Sequence, residues 1–208
     1  MIFKFWERLP YKECVHPDDK EVVEKHKNIF ALDIPPGHIN GNLRTAPVVA
    51  LFLNPGFEDE DNQVFENEDC RILLFEQIRG ESDFPLWFNR WRKWFLQRVK
   101  LDGMTDEKIG KNVSIFNVCS YASRDAKRLK PSILNSLPSS QAAIEYLHEV
   151  LIPQAQRGER FIVVCRAAWA WKIDKSIECD TIKFVKNPRG GHFGPEIRTQ
   201  IKIWISSK

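Results

Sequence analysis

Three asparagines stand where short apolar runs stop. Val48-Val49-Ala50-Leu51-Phe52-Leu53 ends in Asn54-Pro55-Gly56-Phe57, and Val113-Ser114-Ile115-Phe116 ends in Asn117. Thr181-Ile182-Lys183-Phe184-Val185-Lys186 ends in Asn187-Pro188-Arg189-Gly190-Gly191-His192. A side-chain amide offers one acceptor and two donors, so it can read a planar polar edge or orient a water. It neither takes nor releases a proton near neutral pH, so its chemistry is recognition and positioning. Asn-Pro-Gly after a strand is commonly only a turn. The recurrence of Asn-Pro at a second strand end instead suggests two corners of one shared pocket. His192 lies in a Gly-rich corner just before Gly194-Pro195-Glu196, which reads as a helix start where anions are favoured.

The elements that must hold these residues follow from the apolar pattern. Strands are expected at 47–53, 112–118, 160–165 and 181–186, each a nearly continuous apolar run of the kind buried on both faces of a parallel sheet. Helices are expected over 68–78, from Phe84-Pro85-Leu86-Trp87 to about Val99, from Ser139 toward Pro153, in a short piece through Ala167 and Ile173, and from Pro195 to the end. The predicted fold is α/β: a three-layer α/β/α arrangement with a central four-stranded, mostly parallel sheet. In such sheets ligands gather beyond the carboxyl ends of the strands, which here carry Asn54, Asn117, Arg166 and Asn187. Residues 1–45 hold several Pro and Gly and at most one helix, over 18–29, so they read as an arm packed on a single domain spanning 46–208. Trp87, Trp91, Trp94 and Phe95 recur at helical spacing. That stripe reads first as core, with stacking on a planar ligand as the alternative.

Composition narrows the classes. In 208 residues, 43% are apolar, the net charge is +3, and no run approaches the roughly 20 apolar residues that span a bilayer. No membrane partner is expected. The first residues lack the pattern of a signal peptide, which points to the cytoplasm. Five scattered cysteines without a Cys-x-x-Cys pair argue against a zinc ribbon, an iron-sulfur cluster or a disulfide framework; Cys119 and Cys165 read as buried structural thiols. No metal and no cofactor is expected. The basic stretch Arg124 to Lys130, including Lys127, is either a solvated face or a surface aimed at a phosphate backbone. The carboxylates Glu58 to Asp61, just beyond Asn54, oppose such a backbone or call for a metal. Arg166 could hold a phosphate or carboxylate bidentately, or pair with this acidic loop.

The order Leu53-Asn54-Pro55-Gly56, Phe116-Asn117-Val118, Asn187-Pro188-Arg189-Gly190 resembles the uracil-DNA glycosylase superfamily, nearest to its mismatch-specific uracil/thymine branch. The likeness spans about 46–206 through short motifs, whose order and strand context carry it. It implies a base flipped out of single-stranded or mismatched DNA and hydrolysis of its glycosidic bond. Asn54 would then position the water and Asn117 would read the base edge, with Phe57 or Phe65 stacking on the ring. His192, with the backbone of Gly190 and Gly191, would face the departing base or the DNA backbone. Arg166, Arg189, Arg124 and Lys127 are the remaining candidates for phosphate contact. The alternative is a module that keeps the fold and binds a nucleic acid or nucleotide without efficient chemistry.

Overall fold

In the computed structural model, residues 2–58, 66–87 and 89–207 are described. Five strands form one sheet in the order β1-β3-β2-β4-β5: β1 Ile39–Asn40, β2 Val48–Phe52, β3 Val113–Asn117, β4 Phe161–Val164 and β5 Ile182–Phe184. β2 is parallel to both β3 and β4, and β5 is parallel to β4. The expected sheet of four strands is thereby corrected to five. The addition is β1, which comes from the arm and runs antiparallel to β3 with Ile39 opposite Phe116. Two residues between glycines carry no periodicity to detect.

Alternation along the strands explains why they read as continuous apolar runs. Val49, Leu51, Phe116, Ile162 and Val164 enter one core, while Val48, Ala50, Phe52, Ile115 and Val163 enter another on the opposite face. Side chains of successive strand residues leave on opposite sides, so a strand apolar at every position needs cover on both. The first core is covered by the arm, with α1 Ile2–Trp6, and by the helical stretch of α6 Pro131–Ser136, α7 Pro138–Tyr146, a π turn Leu147–Leu151 and α8 Ile152–Gln156. The second is covered by α4 Asn89–Val99, α5 Asp106–Asn112 and α9 Pro195–Ser206. α2 Lys20–Lys25 belongs to the arm, and α3 Glu68–Ile78 has the bounds expected from the sequence.

Several expected elements differ. The arm helix is shorter than 18–29 because Pro17–Asp19 forms a 3-10 turn and the chain leaves the helix at His26. The helix expected through Ala167 to Ile173 is a pair of turns in which Ala167 and Lys172 both have φ of 55°. These turns deliver Trp171 to the core, where its indole N–H donates to the Phe52 carbonyl at 3.0 Å. α1, α5 and α6 are not among the expected helices, although Thr105 caps α5 through the Lys108 N–H and Pro131 opens α6. Both starts follow ordinary capping rules, but the helices are too short for a periodic stripe.

The arm is not a loose attachment. Ile2, Phe3, Trp6 and Leu9 are buried in the first core. Asp19 is fully buried and accepts from the Tyr121 hydroxyl at 2.7 Å and the Ser139 N–H at 3.0 Å. Burial still raises its carboxyl above the usual range, against the pull of those donors.

Candidate functional site

The corners after β2 and β3 are zipped together. The Val118 N–H donates to Phe52 O, Cys119 to Leu53 O and Ser123 to Pro55 O, and Gly56 bridges to Ser123. This brings Asn54 against Ser123: its Nδ2 donates to Ser123 Oγ at 2.8 Å and to Pro55 O at 2.7 Å. Both amide protons are thus spent on the scaffold, and the Oδ1 acceptor is the group Asn54 has left to offer.

Asn117 ends β3, is almost fully buried and donates from Nδ2 to Gly37 O at 2.7 Å. Its backbone N–H donates to His38 O at 2.8 Å, so the arm holds it twice. One amide proton and the carbonyl oxygen remain, a donor beside an acceptor. The backbone contact also ties the site to His38, whose ring is buried against Trp6 and Phe116 with no hydrogen-bond partner on either nitrogen among the described residues. Burial depresses that imidazole to about 3, so it is neutral.

Asn54, Phe57 and Asn117 line one cleft of about 170 Å³. An apolar cavity of about 150 Å³ is enough for benzene, so this cleft has the size of a single six-membered ring. Trp91 and Trp94 of α4 also line it, with Phe84, Leu74, Ile115 and, from the arm, Ile34, Pro35, Gly37 and Asn40. Glu58 contributes a carboxylate to the same lining. The aromatic stripe therefore divides. Phe95 is core, Trp91 and Trp94 face the cleft, and Trp87 is 60% exposed. Arg124 lies over the outer aromatic, its guanidinium 4.8 Å from the Phe57 ring centre. Lys127 is exposed, its N–H capped by Asp125. Phe65 and Asp59 to Asp61 lie outside the described residues.

The third corner sits elsewhere. His192 does not line the cleft; its Nδ1 lies 2.8 Å from the Gln97 carbonyl on α4. Since a carbonyl only accepts, the His192 Nδ1–H is the donor in this contact and is spent on α4. Gly190 and Gly191 are there for space. A Cβ on Gly190 would stand 2.6 Å from His192 Cδ2, and one on Gly191, where φ is 64°, would stand 2.9 Å from Phe52 Cε1. Arg166 is half-buried beside this turn and donates from Nη2 to the Arg189 carbonyl. Among the described residues it makes no ion pair with the acidic loop.

Cys119 and Cys165 are fully buried, as expected of structural thiols, and burial pushes Cys119 up to about 12 and Cys165 higher still. Among the described residues no group of three or more His, Cys, Asp or Glu side chains is arranged to hold a metal, and no helix is long and apolar enough to cross a membrane. Comparison with protein-family models, with curated proteins and with solved structures returns no match.

Proposed function

We propose that this protein is a uracil-DNA glycosylase-like hydrolase that removes uracil or a related deaminated base from single-stranded or mismatched DNA. The observation carrying this reading is that Asn54, Phe57 and Asn117, taken from two separate strand ends, line one ring-sized cleft. The base enters flipped out of its stack. Asn117 accepts the uracil N3–H at Oδ1 and donates its second Nδ2 proton to O4, the first being held by Gly37. Phe57, Trp91 and Trp94 supply aromatic faces.

Asn54 Oδ1 orients the attacking water, and Glu58 is the lining carboxylate able to take its proton, as the amide cannot. The water oxygen bonds to C1′ while the C1′–N1 bond breaks, and its electron pair leaves on the base. The products are the free base and an abasic deoxyribose. The test is incubation with uracil-containing single strands and mismatched duplexes, followed by alkaline cleavage at abasic sites. Strand scission dependent on Asn54 and Glu58 is expected; no abasic product from any deaminated base would overturn the reading.

A second reading, a nucleobase-binding module without turnover, is favoured by one specific observation. His192 lies outside the cleft, so no donor from the third corner meets the departing base. Binding of free uracil without excision would select this reading.

A further inference from the structure

Near Trp94, which also lines the cleft, two arginines approach each other. The Arg98 guanidinium lies 4.3 Å from the Trp94 ring centre, and its Nη1 donates to the Trp94 carbonyl at 3.1 Å. Arg166 lies near enough that its charge, after burial, is the chief cause lowering Arg98 from the usual guanidinium range. Both act on the Cys165 thiol at the end of β4. Among the described residues the buried Nε atoms of Arg98 and Arg166 have no hydrogen-bond partner, and neither guanidinium makes an ion pair.

Two adjacent, half-buried like charges cost free energy, and proteins ordinarily neutralise such a pair with a carboxylate. Among the described residues no carboxylate is paired with either guanidinium: Arg166 donates instead to the Arg189 backbone carbonyl, and His192 is bonded to the residue preceding Arg98. The chain holds this arrangement firmly. The Phe193 N–H donates to Arg98 O at 2.8 Å, and a Cβ at Gly191 would lie only 3.1 Å from Arg166 Nε, so the turn packs closely on this arginine.

We infer that Arg98 and Arg166, beside the Trp94 that lines the ring cleft, form a phosphodiester site which grips the strand whose base the cleft receives. Planar guanidinium forks match phosphate oxygens in pairs, and a bound phosphate would neutralise the mutual repulsion. Trp94 then touches both, lining the ring cleft and lying against the Arg98 cation. The anion-binding part stands on the arginine pair alone; only the identity of the strand rests on the nucleobase reading of the cleft.

The experiment uses the full chain and three probes: inorganic phosphate, free uracil, and a fluorescent single-stranded oligonucleotide carrying uracil. Phosphate should raise the melting temperature of the wild type above that in chloride at equal ionic strength. Arg98→Gln and Arg166→Gln should each weaken oligonucleotide binding roughly tenfold at low salt and cut the salt slope by about 0.7. Uracil affinity should be unchanged, and Arg98→Lys should recover part of the loss. Oligonucleotide affinity and salt slope equal to wild type in folded variants would overturn the site, as would a wild type indifferent to phosphate. If oligonucleotide binding depends on both arginines while free uracil does not bind, the ring reading fails and the anion site stands.

Discussion

Replacing Asn117 by alanine separates the scaffold role of this residue from the reading role proposed for it. On the scaffold side the substitution removes one hydrogen bond, Nδ2 to Gly37 O at 2.7 Å. The Gly37 carbonyl is not orphaned, because Asn40 Nδ2 also donates to it at 3.2 Å. The expected loss of stability is therefore about 1 kcal/mol, the net value of a single neutral hydrogen bond. On the reading side the same change removes both groups offered to the base, an acceptor and a donor, together about 2 kcal/mol. That corresponds to roughly 30-fold weaker uracil binding. Asn117→Asp should be worse for the fold, since it sets a second acceptor against the Gly37 carbonyl. Calorimetric titration with free uracil, alongside thermal melting of each variant, measures both sides. A folded Asn117→Ala protein that binds uracil within threefold of wild type would refute the assignment of Asn117 as the edge reader.

Other expectations test the surroundings of the site. The His38 pKa is depressed in the folded state, so folding stability should be lost as pH falls below about 6.5, by up to about 1.4 kcal/mol per unit toward pH 3. His38→Phe, which keeps an aromatic ring beside Trp6 and Phe116, should flatten that acid limb in urea melts recorded across pH; an unchanged slope would assign the limb to other groups. Gly191→Ala meets both a positive φ and the Phe52 ring, and should lower stability by at least about 1–3 kcal/mol in denaturant titration, whereas Gly158→Ala, with a positive φ but open space, should cost less. Ser123→Ala releases one anchor of Asn54 and should slow the proposed excision while leaving uracil affinity within twofold, as judged by single-turnover kinetics against calorimetry.

Much of the sheet is legible in the sequence because its four longer strands are apolar at nearly every position, and both faces are in fact covered. Asn54 and Asn117 are legible for the same reason: each is the polar residue at which such a run ends. The corner at Asn187 to His192 is less so, since the strand end says nothing about which way the loop turns. Hydrogen bonds from Phe193 to Arg98 and between His192 and Gln97 carry it onto α4 and away from the cleft. The tryptophans of α4 share helical spacing with Phe95, yet only Phe95 is fully buried, because spacing marks a face and not what lies opposite it. Arg98 carries no signal in sequence; its neighbour Arg166 is 68 positions away and meets it only through the fold.

The contribution of the arm has a consequence for the order of events during synthesis. Ile34, Pro35, Gly37 and Asn40 form one wall of the cleft, and Gly37 holds Asn117, but β1 has no partner until β3 has been made. Its register sets Ile39 opposite Phe116, a long closure in a chain whose N-terminal part leaves the ribosome first. The wall made earliest is thus completed late, so a nascent chain stalled before residue 113 has Asn54 and the arm but no cleft to join them.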